Sequence, residues 1–549
     1  MPFGFEGRAH ARRRRDNGNP DSVDEGRCMR AARAMANWKI YIVATLVGAA
    51  AWAQAAGVAW IDAGGDADIE RAFAQARSEG KPLLLYWGAK WCPPCNQLKA
   101  TLFNRQDFAE RSRSFVAVNI DGDLPGAQKL GARFKVSGYP TMVLMNPQGV
   151  EITRLPGEVD PPQVMQVLQM GLAGGRPVKA VLADARAGKA LAGSEWRMLA
   201  FYSWGTDESQ LLPAAERPGV LAQLAQACPA SESDSATRLM LKALADSDDG
   251  KGVRPDEPLR QRVRVWLADT ALMRRQMDVV VNYAPEITRA LSPDGGAARK
   301  ALVGAFQLAL RRLEVDATLS RGDRLSALLA RVELARVDAP KNERHPKLAE
   351  TLLKEVRAHA ARANREITDG YERQAVVTAA AYMLGQAGLW NESDALLKAN
   401  LTKSHSPYYL MSQLGSNARK LGRRAEALDW YEQAWVRSEG PATRLQWGSS
   451  YVNAIVELAP QEAARMEKAV SAMIGEAAGD AGAFDGRSMR SLQRIGEKLA
   501  AWNIDGRHDP VIGRLKSQLD GVCAKIPAAD PQRAACNGML RKAIKTGAA

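Results

Sequence analysis

At 549 residues the chain is longer than one hydrophobic core supports, so two or more domains are expected. Its 46% hydrophobic and 25% charged residues exclude a disordered chain and supply ample material for packed cores. The formal charge of +14 is scattered along helix-forming stretches with both signs mixed, and neither zinc-finger spacing nor an aromatic–basic RNA motif occurs, so no nucleic-acid partner is expected.

Residues 1–34 are polar and arginine-rich, with Arg12 to Arg15 consecutive, and Met29 or Met35 would make a more natural start. Basic Arg30, Arg33 and Lys39 precede an apolar run from Ile40 to Trp52, and Ala53-Gln54-Ala55 follows. Charged region, short apolar region and small-x-small site are the three parts of a secretory signal peptide, with cleavage expected after Ala55. The alternative is an uncleaved inner-membrane anchor facing the periplasm, although the run is shorter than the roughly 20 residues of a comfortable span. Either way the rest of the chain is expected in the periplasm or outside the cell, where disulfides persist. Nine basic against five acidic residues in 1–55 leave +10 of the charge for the remainder.

Residues 56–173 alternate helix and strand signals. Ile69, Ala72, Phe73 and Ala76 follow helical spacing. Pro82 to Trp87 is a continuous apolar run that suits a strand buried on both faces. It leads into Trp91-Cys92-Pro93-Pro94-Cys95 and a helix-forming stretch, Asn96 to Leu102. Phe115 to Ile120 reads as a second buried strand, Ala127 to Phe134 as a helix and Thr141 to Met145 as a third strand. After a Pro147-Gln148-Gly149 turn, residues 150–155 read as a looser strand nearer an edge. Met165, Leu168 and Leu172 mark a closing helix behind Pro161-Pro162.

This order resembles the thioredoxin fold over residues 60–172. The resemblance rests on Trp91 before the cysteine pair, on the pair at a helix start, and on Val136-Ser137-Gly138-Tyr139-Pro140-Thr141, which looks like the family's cis-proline loop. A lone CxxC is weak evidence, whereas strand, CxxC, helix and a later Gly-x-Pro-Thr segment together are strong. The resemblance implies that Cys92 is the nucleophile, that Cys95 resolves the mixed disulfide, and that Trp91, Tyr139 and Pro140 form the substrate surface. Pro93 and Pro94 complete the active-site loop, where Pro94 needs no N–H in the first helical turn. Zinc is disfavoured because no second Cys or His pair lies nearby and 56–173 contains no histidine. No metal or organic cofactor is implied.

Two positions depart from the family pattern. The buried acid six residues before the first cysteine is Tyr86 here, and its lysine partner is Ala117, which puts the usual proton relay in doubt. The closer likeness is to exported proteins of the thiol:disulfide interchange kind. The Cys-Gly-His-Cys of disulfide isomerase domains is absent, which leaves a reductase in front.

Beyond residue 174 the signal is helical, as in Leu325, Leu328, Leu329 and Val332. A 34-residue period links Ala381 to Gly415, Gly388 to Gly422, Leu397 to Tyr431 and Pro407 to Pro441, which resembles the tetratricopeptide repeat in part. Ser393 and Asn400 stand where the first copy would carry alanine. Domains are therefore expected at 56–173, 174–370 and 371–549: an α/β thioredoxin-like domain, then a large all-α, TPR-like region whose concave face recruits a protein or peptide. Cys523 and Cys536 are expected to close a structural disulfide worth about 3 kcal/mol, with free thiols as the alternative. Cys228 is either a buried apolar residue or a bridging thiol.

The reading is an exported protein-disulfide reductase with a disulfide-containing protein substrate and an electron donor that the sequence does not name. Its rival is a helical scaffold whose cysteine pair is a permanent disulfide. A third option has the dithiol act on the chain's own Cys228.

Overall fold

The computed structural model describes residues 57–544 apart from 158–159, 248–251 and 341. The signal peptide or anchor read at residues 1–55 lies outside the described residues. No described helix is long and apolar enough to cross a membrane.

Five strands form one mixed sheet: β1 (Trp60–Asp62), β2 (Leu83–Gly88), β3 (Val116–Asp121), β4 (Thr141–Met145) and β5 (Glu151–Pro156), in the order β1-β3-β2-β4-β5. β3 runs parallel to β1 and β2, and β4 is antiparallel to β2 and β5. β2 is central, and all six of its residues are buried, as its unbroken apolar run requires. Leu83, Leu85 and Trp87 pack on one face with Ile69 and Phe73 of helix α1 (Asp66–Glu79), while Leu84 and Tyr86 face the opposite cluster. The chain is thus an α/β thioredoxin-like sheet followed by a large all-helical region; among the described residues no strand follows β5.

Three local features differ from the pattern-based expectation. β1 is only three residues long and half-exposed, too short for a period to show. Helix α2 (Pro93–Leu98) begins three residues earlier than the helix-forming stretch suggests, because Pro93 and Pro94 already hold helical φ, and it widens into a π turn over Lys99–Phe103. A short helix α3 (Gln106–Arg111) follows before β3. Helices α4 (Ala127–Arg133) and α5 (Pro161–Leu172) fall where the spacing puts them.

Residues from Gly57 onward form one compact unit. The cluster under Leu84 and Tyr86 continues without a break into Val181, Leu182, Trp196, Leu199 and Tyr202 of the helical region. The 34-residue period is carried by the backbone: helices start at Trp390 and Arg424, and at Pro407 and Pro441, while Gly388 and Gly422 both turn at φ near +80° (80° and 76°). Buried Ser393 and Asn400 are satisfied where alanine was expected. Ser393 Oγ accepts from Asn417 Nδ2 at 2.9 Å, and Asn400 Oδ1 accepts from Arg373 Nη2 at 2.6 Å.

Candidate active site

The end of β2 delivers Cys92 to the start of α2, where it caps the helix. Its Sγ accepts the Cys95 N–H at 3.2 Å, and Pro93 and Pro94 occupy the first turn, whose free amides proline does not need. Cys92 and Cys95 are joined as a disulfide. Asn96, fully buried one turn into α2, donates from Nδ2 to the Lys90 and Cys92 carbonyls at 2.9 and 2.8 Å and so ties the loop to its helix. Lys90 itself reaches out to an exposed ion pair with Glu439 at 3.0 Å.

The Tyr139–Pro140 peptide is cis. The Tyr139 ring stacks on Trp87 at 5.7 Å and meets the edge of Trp91 at 6.2 Å, and its hydroxyl accepts from Gln128 Nε2 at 2.9 Å. Thr141 Oγ1 holds the loop by donating to the Gly138 carbonyl at 2.9 Å.

Trp91 is where the structure adds most to the sequence reading. Only 9% of it is exposed, because helices from the far end of the chain close over it. Tyr409 stacks on its ring at 5.7 Å, and Trp447 meets it edge-on at 6.0 Å. Its indole N–H donates to Asp123 and to Thr443 Oγ1, each at 2.8 Å, and Gln374 Nε2 donates to its carbonyl at 3.3 Å. The Arg487 guanidinium lies 5.3 Å from the Trp91 ring and 5.0 Å from that of Tyr139, and pairs with Asp123. Cys92 is 3% exposed and Cys95 not at all. What remains open beside Cys92 is a cleft of about 430 Å³, with Trp91, Pro93, Pro94 and Tyr139 on one wall and the helical region on the other. Gln374, Tyr409, Thr443, Trp447 and Arg487 have no local signature that marks them; only packing across more than 280 positions brings them here.

At position 86 the tyrosine is buried beneath the sheet face, in contact with Trp60 and Phe103, and its hydroxyl has no hydrogen-bond partner among the described residues. Burial, and then the nearby Asp121, push its ionisation far up. The carboxyl this part of the sheet does hold is Asp121, paired in register with Gly88. Burial raises its pKa, while the Asp123 amide and Lys99 draw it back. The other cysteines stand apart. Cys523 and Cys536 are disulfide-bonded between two C-terminal helices. Cys228 is buried in a different cluster from the pair, with its thiol pushed up to about 11 by burial and then by Glu232, which makes it a poor nucleophile.

Residues 69–171 match the thioredoxin-like domain family. Over 98 residues the chain is 33% identical to thiol:disulfide interchange protein DsbD of Pseudomonas fluorescens and 31% identical to DsbD 2 of Pseudomonas aeruginosa, 17% of each chain being covered. It is also 31% identical over 98 residues to DsbD of Yersinia pestis, covering 17% of this chain and 16% of that one. The chain thus spans under a fifth of the length of these relatives. Sheet order, cis-proline loop and these likenesses converge on one assignment: the chain contains a thioredoxin-like domain, with Cys92 and Cys95 as its CxxC pair and a helical region after it.

Proposed function

We propose that the protein is an exported disulfide reductase in which Cys92 is the nucleophile and Cys95 the resolving thiol. The observation that carries this is the orientation of the pair: the Cys95 N–H is aimed at Cys92 Sγ, which favours the thiolate there, whereas the Cys95 sulfur is fully buried and bonded to Cys92. In the reduced protein the Cys92 thiolate attacks a substrate disulfide, one substrate thiol leaves with a proton, and Cys95 then displaces the second thiol by re-forming the Cys92–Cys95 bond. Two electrons pass from the protein to the substrate, and a dithiol donor must restore them. Trp91, Tyr139 and Pro140 shape the surface at which the attack occurs. Export is supported by the charged, apolar and small-x-small order of residues 30–55. A protein or peptide partner of the helical repeats would bind away from the dithiol, because the residues over Trp91 are already engaged by the chain itself.

The same enclosure gives the scaffold reading its footing, since a sealed disulfide could be permanent. One titration separates the two. The midpoint potential of the pair, measured against a glutathione or dithiothreitol buffer, is expected near the thioredoxin value of about −270 mV. A value near about −120 mV would make the protein a disulfide donor, and a pair that does not titrate would make it a scaffold. Cys95→Ser is expected to accumulate a mixed disulfide on Cys92, and Cys92→Ser to accumulate none; mass spectrometry after non-reducing electrophoresis reads both.

A further inference from the structure

We propose that the dithiol takes low-molecular-weight disulfides that enter the cleft, and not disulfides on the surfaces of folded proteins. The inference rests on the thiol–disulfide reading above and names the substrate class of that site.

Three observations carry it. The apolar platform beside the nucleophile is already engaged: Tyr409 stacks on the Trp91 indole, the Arg487 guanidinium lies over it, and its N–H is spent on Asp123 and Thr443. The backbone strip leading to the cis-proline is also used. The Ser137 N–H donates to the Thr206 carbonyl at 3.1 Å, the Ser137 carbonyl accepts from Arg490 at 3.2 Å, and Val136 bridges to Asp207. A partner strand therefore finds the Ser137 N–H and carbonyl, two residues before Tyr139, already taken by the helical region. The approach left to Cys92 is the cleft of about 430 Å³.

Magnitudes decide what fits. A standard protein–protein interface takes about 800 Å² from each partner, and weaker redox encounters still bury up to about 1,200 Å² in total. Cys92 is 3% exposed and Trp91 beside it 9%, both of them lining the cleft. Small-molecule sites enclose about 300–1,000 Å³ and are mostly apolar with a few polar groups. The cleft falls in that range and mixes Pro93, Pro94 and Leu329 with Asn282, Ser326 and Gln446. For a small disulfide RSSR the step balances as follows: the Cys92 thiolate bonds to one sulfur, the S–S bond breaks, and RS⁻ leaves and takes a proton. Cys95 then closes on Cys92 and releases the second RSH, the two electrons coming from the reduced pair.

The test uses the full chain, reduced with dithiothreitol and desalted, in single turnover. Its second-order rate constants with 2-hydroxyethyl disulfide and with insulin are each divided by the rate constant of dithiothreitol itself with the same disulfide, which removes intrinsic reactivity. The normalised rate is expected to be at least tenfold higher for the small disulfide. Ser326→Trp, which narrows the helical wall of the cleft, is expected to lower the small-disulfide rate at least tenfold while the midpoint potential of the pair stays in place. Equal or faster normalised reaction with insulin overturns the proposal, and this comparison needs no variant to fold. An unchanged small-disulfide rate in a folded Ser326→Trp protein overturns it too. If neither disulfide oxidises the pair, the thiol–disulfide reading itself fails and takes this inference with it.

Discussion

Glu333 lies on the helical wall of the cleft, and its carboxyl is pushed up to about 7, first by burial and then by the like charge of Glu286, against the pull of Arg336 and Arg289. A carboxyl raised above its unfolded value of 4.5 binds a proton more tightly in the folded state. Its contribution to stability is therefore full below pH 4.5 and is lost as pH rises through about 7. Glu333→Gln removes that dependence. The variant is expected to match the parent at pH 4 and to exceed it in Tm at pH 8; an unchanged difference between the two pH values would sink the assignment. Tyr86 shows the opposite kind of residue-scale effect. Where the thioredoxin pattern has a carboxyl, this chain buries a hydroxyl against the Gly88 backbone, so close that a Cβ on Gly88 would lie 2.4 Å from it. The ring fills space among Trp60 and Phe103 and offers no group that can take a proton near neutral pH.

At the scale of elements, close packing explains the sensitivity of the cis-proline loop. Gly157, just past β5, faces the Pro140 ring, and a Cβ there would sit 2.1 Å from its Cγ. Both neighbours are confined, because Pro140 is fixed in its ring and Leu98 is 3.2 Å from the same point. Gly157→Ala is expected to cost about 1–3 kcal/mol, the usual range for overpacking a tight core, and to slow the reaction with small disulfides by displacing the loop that flanks Cys92. Urea denaturation and single-turnover rates check the two parts separately. The strands and helices with a strong period were legible from sequence: β2 from its unbroken apolar run, α1 from its 3–4 spacing, β4 and α5 from runs bounded by proline and glycine. β1 and α3 were not, since three and six residues are too few to show a period. The cysteine pair and the cis-proline loop were legible because their chemistry is local. The cover over Trp91 was not, because Thr443 and Tyr409 are ordinary helix-packing residues until the chain folds back on the dithiol.

At the scale of the whole molecule, that folding back makes one unit of two architectures. The helical region seals one face of the sheet with Leu182, Trp196 and Tyr202, and later helices reach over Trp91 from the other side. Arg487 is the junction. It pairs with Asp123 at side-chain exposures of 11% and 10%, donates to Gln446 Oε1 at 3.0 Å and to Thr443 Oγ1 at 3.1 Å, and its backbone N–H donates to Gln128 Oε1 at 2.8 Å. Arg487 thus fixes the helix Gly486–Trp502 to α4 through its backbone N–H, and to the Trp91 loop and the helix that carries Thr443 through its side chain. Breaking a largely desolvated ion pair by removing one partner leaves the other charge stranded, at a cost of about 3–5 kcal/mol. Asp123 keeps two other donors, the Trp91 indole and the Thr443 hydroxyl, which argues for the lower end of that range. Arg487→Ala is therefore expected to lose about 3 kcal/mol of unfolding free energy in urea. The cover should also loosen enough to raise the normalised insulin rate several-fold, with little change for 2-hydroxyethyl disulfide. If stability falls and insulin reactivity does not rise, Arg487 holds the fold together without controlling access, and the selectivity of the cleft has to come from its walls.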